Sequence, residues 1–279
     1  MQQPITSIII SVYKDSIALG LILKALEIQS SKNFEIIVSE DGNCEDMKKT
    51  TENWSSRHDN FYHLTQDDIG FRKNRALNRA IAFSHTEHLI FIDGDCIPHP
   101  FFIEAHQAYM TPSHASAGRR TELGPKISNE IRNGKLQLAR LFNPFLYLLL
   151  FPRLLTDKTN HPGQGITLKS LQRFTENRHI RILGCNFSCH KDDLNKINGF
   201  NEDFVAAGWG EDSDIEWRLR YIGVDIHNTK FSAIQYHLYH ERWYELEDKN
   251  LSILENSMRN NSYYCERGLS LHNTENINL

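Results

Sequence analysis

The sequence predicts an α/β fold, with a mostly parallel central sheet flanked by helices and formed as a single fused unit. Three observations predict it. Continuous apolar, β-branched runs recur through the first third of the chain, beginning with Ser7-Ile8-Ile9-Ile10-Ser11-Val12. Such runs are strands covered on both faces. Segments long enough for helices separate them, and strand–helix–strand crossovers of that length build parallel sheets. The runs also end in polar or acidic residues: Tyr13, Glu40, Asp41, Asp93 and Asp95. Ligands bind beyond the carboxyl ends of such strands, so these five are expected to line one cleft.

Taken in order, Ser7 to Val12 is the first strand, and Asp15 or Ser16 caps a helix over Ile17 to Gln29. Phe34 to Ser39 is the second strand and gives way to Glu40-Asp41-Gly42-Asn43. A helix follows from Glu45 to about Ser56, a short strand over Phe61 to Leu64, a helix over Arg72 to Ser84 and a strand over His88 to Ile92. Beyond Cys96 the alternation weakens. His99 to Tyr109 reads as helical, and a mixed region without a repeat runs to Asn177. Regular structure resumes over Ile180 to His190, then a helix near Asp192 to Asn198 and the turn Asn198-Gly199. A helix spans Ile215 to Tyr221, an apolar run covers Phe231 to Ile234, and a further helix is expected beyond Arg242 before a fraying, Asn-rich end.

A length of 279 residues suits one large or two fused domains, and a formal net charge of -4 gives no reason to expect nucleic-acid binding. The five cysteines are scattered and read as reduced, packed thiols rather than a disulfide framework or a zinc site. The amino terminus has no basic region, and the run after it is too short for a signal peptide, so a cytoplasmic location is expected. Leu138 to Leu155, LARLFNPFLYLLLFPRLL, is heavily apolar but too short to span a bilayer. It reads either as a buried helix pair or as a peripheral membrane patch flanked by Lys135, Arg140 and Arg153.

Three clusters carry chemistry. His88-Leu89-Ile90-Phe91-Ile92 stops at Asp93-Gly94-Asp95, two carboxylates around a glycine at a strand tip. Hard divalent cations prefer such oxygens, although a simple Asp-Gly turn uses the same residues. Gly208-Trp209-Gly210-Glu211-Asp212-Ser213-Asp214 sets an aromatic platform between glycines before three acids at a helix start. Aromatic rings stack on sugar C–H faces, and helix capping accounts for only part of that acidity. His237-Leu238-Tyr239-His240 spaces two imidazoles so that both reach one metal.

Together these residues resemble the inverting family 2 glycosyltransferases of the GT-A fold, in particular bacterial members whose second half is similar to the β-1,4-galactosyltransferase domain. The resemblance runs from about Thr6 to Arg242 and also uses Gly70-Phe71-Arg72-Lys73-Asn74 and Asn198-Gly199-Phe200. It implies a nucleotide-sugar-binding half over 1–110, an acceptor-binding and catalytic half over 111–242, and a helical tail over 243–279. By position it implies that Tyr13, Glu40, Asp41, Arg72, Lys73, Asp93 and Asp95 bind the donor nucleotide, with Glu40 departing from the family's usual Asp. Asp95, His237 and His240 would ligate Mn²⁺ or Mg²⁺. Asp212 would be the catalytic base with Glu211 beside it, and Trp209, Gly210 and Asp214 would meet the acceptor.

The expected activity is inverting, metal-dependent transfer of a hexose or N-acetylhexosamine from a UDP-sugar to a saccharide or lipid-linked saccharide, in surface polysaccharide synthesis. A nucleotide diphosphate leaves without a proton, so a cation replaces the general acid of a glycosidase, while one carboxylate deprotonates the acceptor. Two alternatives are a non-catalytic carbohydrate- or sugar-nucleotide-binding protein and a sugar nucleotidyltransferase. The latter usually carries a glycine-rich basic loop after its first strand, which Val12-Tyr13-Lys14-Asp15 lacks.

Overall fold

A computed structural model describes residues 3–206, 210–241 and 248–272. The first strand, β1 (Thr6–Val12), is buried except at Ser11. Asp15 caps α1 (Ser16–Glu27) by accepting a hydrogen bond from the Ala18 N–H at 3.0 Å. Next come β2 (Phe34–Glu40), α2 (Glu45–Ser55), β3 (Phe61–Leu64), α3 (Lys73–Phe83) and β4 (His88–Asp93). All match the expected alternation within a residue or two.

The mixed region contains β5 (Cys96–Pro98), α4 (Phe102–Gln107), β6 (His114–Ala117), β7 (Arg119–Glu122), α5 (Pro125–Arg132), α6 (Ala139–Phe142), α7 (Pro144–Thr156) and α8 (Lys169–Gln172). The remainder forms β8 (Phe187–His190), α9 (Lys191–Ile197), α10 (Glu211–Tyr221), β9 (Asp225–Asn228), β10 (Ile234–His237) and α11 (Asp248–Arg259). Regular structure over Ile180 to His190 begins only at Phe187. Before it, the chain turns at Leu183–Asn186 and Ile182 N–H bonds the Glu216 carboxylate at 2.8 Å, so this stretch wraps α10 instead of pairing.

The central sheet has the order β3-β2-β1-β4-β8-β6-β9, and β8 alone runs against the others. Alternation within the strands sends side chains to two cores. Ile8, Ile10, Ile36, Val38, Ile90 and Ile92 face one, whereas Ile9, Ile37, Leu89 and Phe91 face the other. Two-sided burial is why these strands read as unbroken apolar runs. A second sheet, β5-β10-β7, aligns His237 with Cys96 and with Glu122, which brings β10 to the residue after Asp95.

The two halves of the chain are tied through α3. Asn74 Nδ2 donates to the Asn201 carbonyl at 2.7 Å, Asn78 Nδ2 donates to the Phe200 carbonyl at 2.8 Å, and Phe200 N–H donates to Asn78 Oδ1 at 2.8 Å. Beneath this contact Arg218 is fully buried. It pairs with Asp214 at 2.6 Å and donates to the carbonyls of Ile197 and Gly199 at 2.9 and 2.7 Å. Replacing one partner of such a pair leaves an uncompensated buried charge. Arg218→Met is therefore expected to lower unfolding free energy by about 3–5 kcal/mol, read by denaturant unfolding.

Candidate active site

β4 ends at Asp93, and the turn after it is set by backbone approach. Gly94 N–H donates to the Ser11 carbonyl at 2.7 Å, and a Cβ on Gly94 would stand 2.9 Å from Val12 Cγ1. Only glycine fits there without a shift. The turn presents Asp95 to β10 and the residues after it. Asp95 Oδ2 lies 3.4 Å from His237 Nε2 and 3.3 Å from His240 Nε2, and Leu238 N–H bonds the Asp95 carbonyl at 2.9 Å. Burial opposes charge on Asp95, but hydrogen bonds from His237 and His240 outweigh it and hold the carboxyl well below its ordinary range. Asp95, Cys96 and His237 offer ligand atoms within 4.8 Å of one another, and His240 reaches the same Asp95 oxygen, so a divalent ion held by Asp95 and both imidazoles would draw the two rings closer together.

Across the cleft, α3 and α10 point their first turns at each other. Lys73, the first residue of α3, reaches Asp93 Oδ1 at 2.9 Å and Glu211 Oε1 at 3.5 Å, so one ammonium joins the strand tip to the acidic helix start. Burial works against its charge, yet Asp93, then Glu211 and Asp212, hold its pKa well above normal. Burial pushes the Glu211 carboxyl up to about 7, with Lys73 opposing the rise and Asp212 and Asp93 adding to it. Its Oε2 is buried without a hydrogen-bond partner among the described residues. Asp212 is likewise raised by burial, against Lys73 and a backbone hydrogen bond from Gly184. Arg120 on β7 donates to Cys185 Sγ at 3.2 Å and Glu122 at 3.3 Å, and its charge is felt by both Asp93 and Asp212.

Electrostatics follow from that inventory. Asp93, Asp95, Glu211 and Asp212 face the fixed cations Lys73 and Arg120, which leaves carboxylate charge in excess. A site with surplus negative charge and two imidazoles has the donor chemistry of a transition-type divalent cation.

The ends of β1 and β2 form a second edge. Asp41 is nearly buried and accepts from Gln66 Nε2 and from Arg72 N–H, both at 2.7 Å, which fixes the segment before α3. The Arg72 guanidinium donates to the Asp67 carbonyl. Tyr13 is exposed beside this segment, donating to Asp68 at 3.3 Å and accepting from Lys14 at 2.6 Å.

Two expected roles are corrected by burial. Glu40 is 1 % exposed, and its oxygens are taken by Cys44 N–H at 2.7 Å and His63 at 2.8 Å, so it braces the β2–α2 turn instead of facing the cleft. Asp214 is equally buried and pairs through Oδ2 with the fully buried Arg218, so it braces α10 instead of meeting an acceptor. Gly210 caps α10 at φ +96°. Trp209 lies outside the described residues. Arg120, Gln66 and Gly184 were not anticipated. Arg120 sits in a four-residue strand without apolar alternation, and the other two act through neighbours that only the fold supplies.

Residues 7–170 match the family described as Glycosyl transferase family 2, and residues 169–241 match the N-terminal domain of galactosyltransferase. A hyaluronan synthase from Pasteurella multocida is 24 % identical over 225 residues, 76 % of this chain and 22 % of that protein. A validoxylamine A glucosyltransferase from Streptomyces hygroscopicus subsp. jinggangensis is 24 % identical over 235 residues, 79 % of this chain and 52 % of that protein. The chain thus spans about a fifth and a half of the length of these curated relatives. Among solved structures, GalNAc-T7 with UDP, GalNAc and Mn²⁺ superposes with a TM-score of 0.62 at 11 % identity, covering 92 % of this chain and 48 % of that one. A Pyrobaculum calidifontis mannosyltransferase in complex with GDP-Man and Mn²⁺ gives a TM-score of 0.54 at 14 % identity, covering 88 % and 59 %. The fold is GT-A, and with the family 2 match spanning more than half its length the chain belongs to glycosyl transferase family 2.

Proposed function

We propose that this protein transfers a hexose or N-acetylhexosamine from a UDP-sugar to a saccharide acceptor, with inversion and with a divalent cation bound by Asp95, His237 and His240. The observation that carries the reading is the Lys73 bridge from Asp93 to Glu211, with Asp212 beside it and the Asp95–imidazole group alongside. Donor-side and acceptor-side chemistry thereby share one cleft. Imidazole nitrogens beside a carboxylate favour Mn²⁺ over Mg²⁺, which prefers all-oxygen shells.

The cation, when bound, supplies charge neutralisation to the departing diphosphate. The chain's own residues divide the remaining work. The Asp212 carboxylate takes the acceptor hydroxyl proton as that oxygen attacks the anomeric carbon, and a single in-line attack inverts the configuration. Glu211 offers its buried, unpartnered oxygen to a sugar hydroxyl. Lys73 keeps both acids within reach of one sugar and adds a fixed positive charge. Tyr13 and the segment fixed by Asp41 would receive the nucleoside. A role in building surface polysaccharide, with a saccharide or lipid-linked saccharide as acceptor, is the setting in which such an enzyme works.

The reading is tested by UDP release from a panel of UDP-sugars with Mn²⁺, with and without saccharide acceptors. Release that requires both cation and acceptor supports it, and a panel in which no donor turns over or binds sinks it.

The raised acids predict a pH dependence. Asp212 must be ionised to act, and the Glu211/Asp212 pair holds its last proton up to about pH 7. Raising the pH removes that proton, so kcat/KM is expected to climb between about pH 6 and pH 8 with an apparent pKa belonging to the pair. Glu211→Gln removes the neighbouring charge and moves the midpoint lower. A flat profile in both proteins would contradict the assignment.

A further inference from the structure

We propose that the outward face of α7, with the basic residues before it, seats this protein on an anionic lipid bilayer. The helix is apolar on both sides. Tyr147, Leu150 and Leu154 are buried against the protein, while Phe145 (67 % exposed), Leu148 (52 %), Leu149 (62 %) and Leu155 (60 %) face out. Together with exposed Pro152 they recur at helical spacing and form one stripe. Asn143 fixes the start of the helix by accepting from the N–H groups of Phe145 and Leu146, both at 3.0 Å. A contiguous apolar stripe left in water by a well-anchored helix marks a contact surface.

Charge selects the occupant. From Ile131 to Thr156 the chain has no acidic residue and four basic ones (Arg132, Lys135, Arg140 and Arg153), although the whole chain is net negative. Arg132 pairs with Asp15 and Arg153 with Glu130. Lys135 and Arg140 are exposed and make no ion pair among the described residues. A symmetric contact between two copies through this stripe would bring the same basic flanks together without an acidic partner. An anionic headgroup layer satisfies both features, taking the apolar stripe at its acyl boundary and the cations at its surface. The geometry is peripheral. Thirteen helical residues reach about 20 Å against a hydrocarbon core of about 30 Å, and no described helix is long and apolar enough to cross.

The stripe is mechanically close to the catalytic cleft. Tyr147 packs on Tyr236 of β10 with ring centres 5.8 Å apart. The Tyr236 hydroxyl bonds the carbonyls of Leu141 and Gly165, both at 2.8 Å, one residue before His237. The surface proposal does not depend on the identity of donor or acceptor.

It is tested by cosedimentation of the full chain with phosphatidylcholine vesicles, with and without phosphatidylglycerol, alongside light scattering without lipid. The wild type is expected to pellet with phosphatidylglycerol vesicles, less so as salt is raised. Leu148→Glu/Leu149→Glu, and separately Lys135→Glu/Arg140→Glu, should each weaken that partition by about tenfold or more, with unchanged thermal stability. Wild-type protein that stays in the supernatant, or an apolar-stripe variant that binds as wild type does, overturns the proposal. So does a wild-type dimer that the stripe variant dissociates, since the face would then be a self-association surface.

Discussion

Asp212→Asn is expected to lower kcat by about 10²–10⁴-fold, the usual worth of a positioned general base, while changing UDP affinity in the presence of Mn²⁺ by less than about threefold. Asparagine keeps the shape, and its amide oxygen retains the hydrogen bond from Gly184, so the start of α10 stays in place. What is lost is a proton acceptor. The proposed cation ligands, Asp95 and its two imidazoles, are left unchanged. Initial rates with the donor found by the UDP-release panel, and calorimetry with UDP and Mn²⁺, separate the two quantities. Near-normal turnover in the variant would remove Asp212 from the mechanism. Asp214→Asn is the contrasting case: it disturbs a buried ion pair and should show in unfolding, not selectively in kcat.

Asp95→Ala should abolish Mn²⁺-dependent UDP binding. In the proposed site Asp95 would contribute the carboxylate, and it is also the acceptor that His237 and His240 both approach. Its loss removes one ligand and frees two more. His240→Ala removes one imidazole and leaves the other pair, so a smaller fall in cation affinity, about tenfold or more, is expected. The comparison is made by titrating UDP with and without Mn²⁺. If the Asp95 variant binds UDP and Mn²⁺ as the wild type does, the cation is held elsewhere.

The first half of the fold was legible because two-sided burial writes itself as apolar runs, as in Ile8-Ile9-Ile10 and Leu89-Ile90-Phe91-Ile92. The strands β6, β7 and β9 were not. Their sequences, HASA, RRTE and DIHN, are four residues long and hold small, charged or mixed side chains. They pair because neighbouring strands offer edges, a tertiary cause that local periodicity does not report. The site divides in the same way. Asp93, Asp95, Glu211, Asp212, His237 and His240 were visible as chemistry-bearing clusters; the structure joins Asp93 to Glu211 through Lys73 and Asp95 to both imidazoles. Glu40 and Asp214 had the right residue type, and burial gave each a bracing task. For Arg120 no local pattern exists: its significance comes from the strand pairing that lays it beside Cys185.

The paired amides of Asn74 and Asn78, locked onto the backbone at Phe200 and Asn201, carry a consequence for how substrates enter. Helix α3 starts at Lys73 inside the cleft, so the same rod that holds the bridging ammonium is bolted to the opposite wall. Clamshell closure between the two walls would have to break these bonds. The proposed transfer would therefore run in a frame that α3 holds fixed, without one half closing on the other.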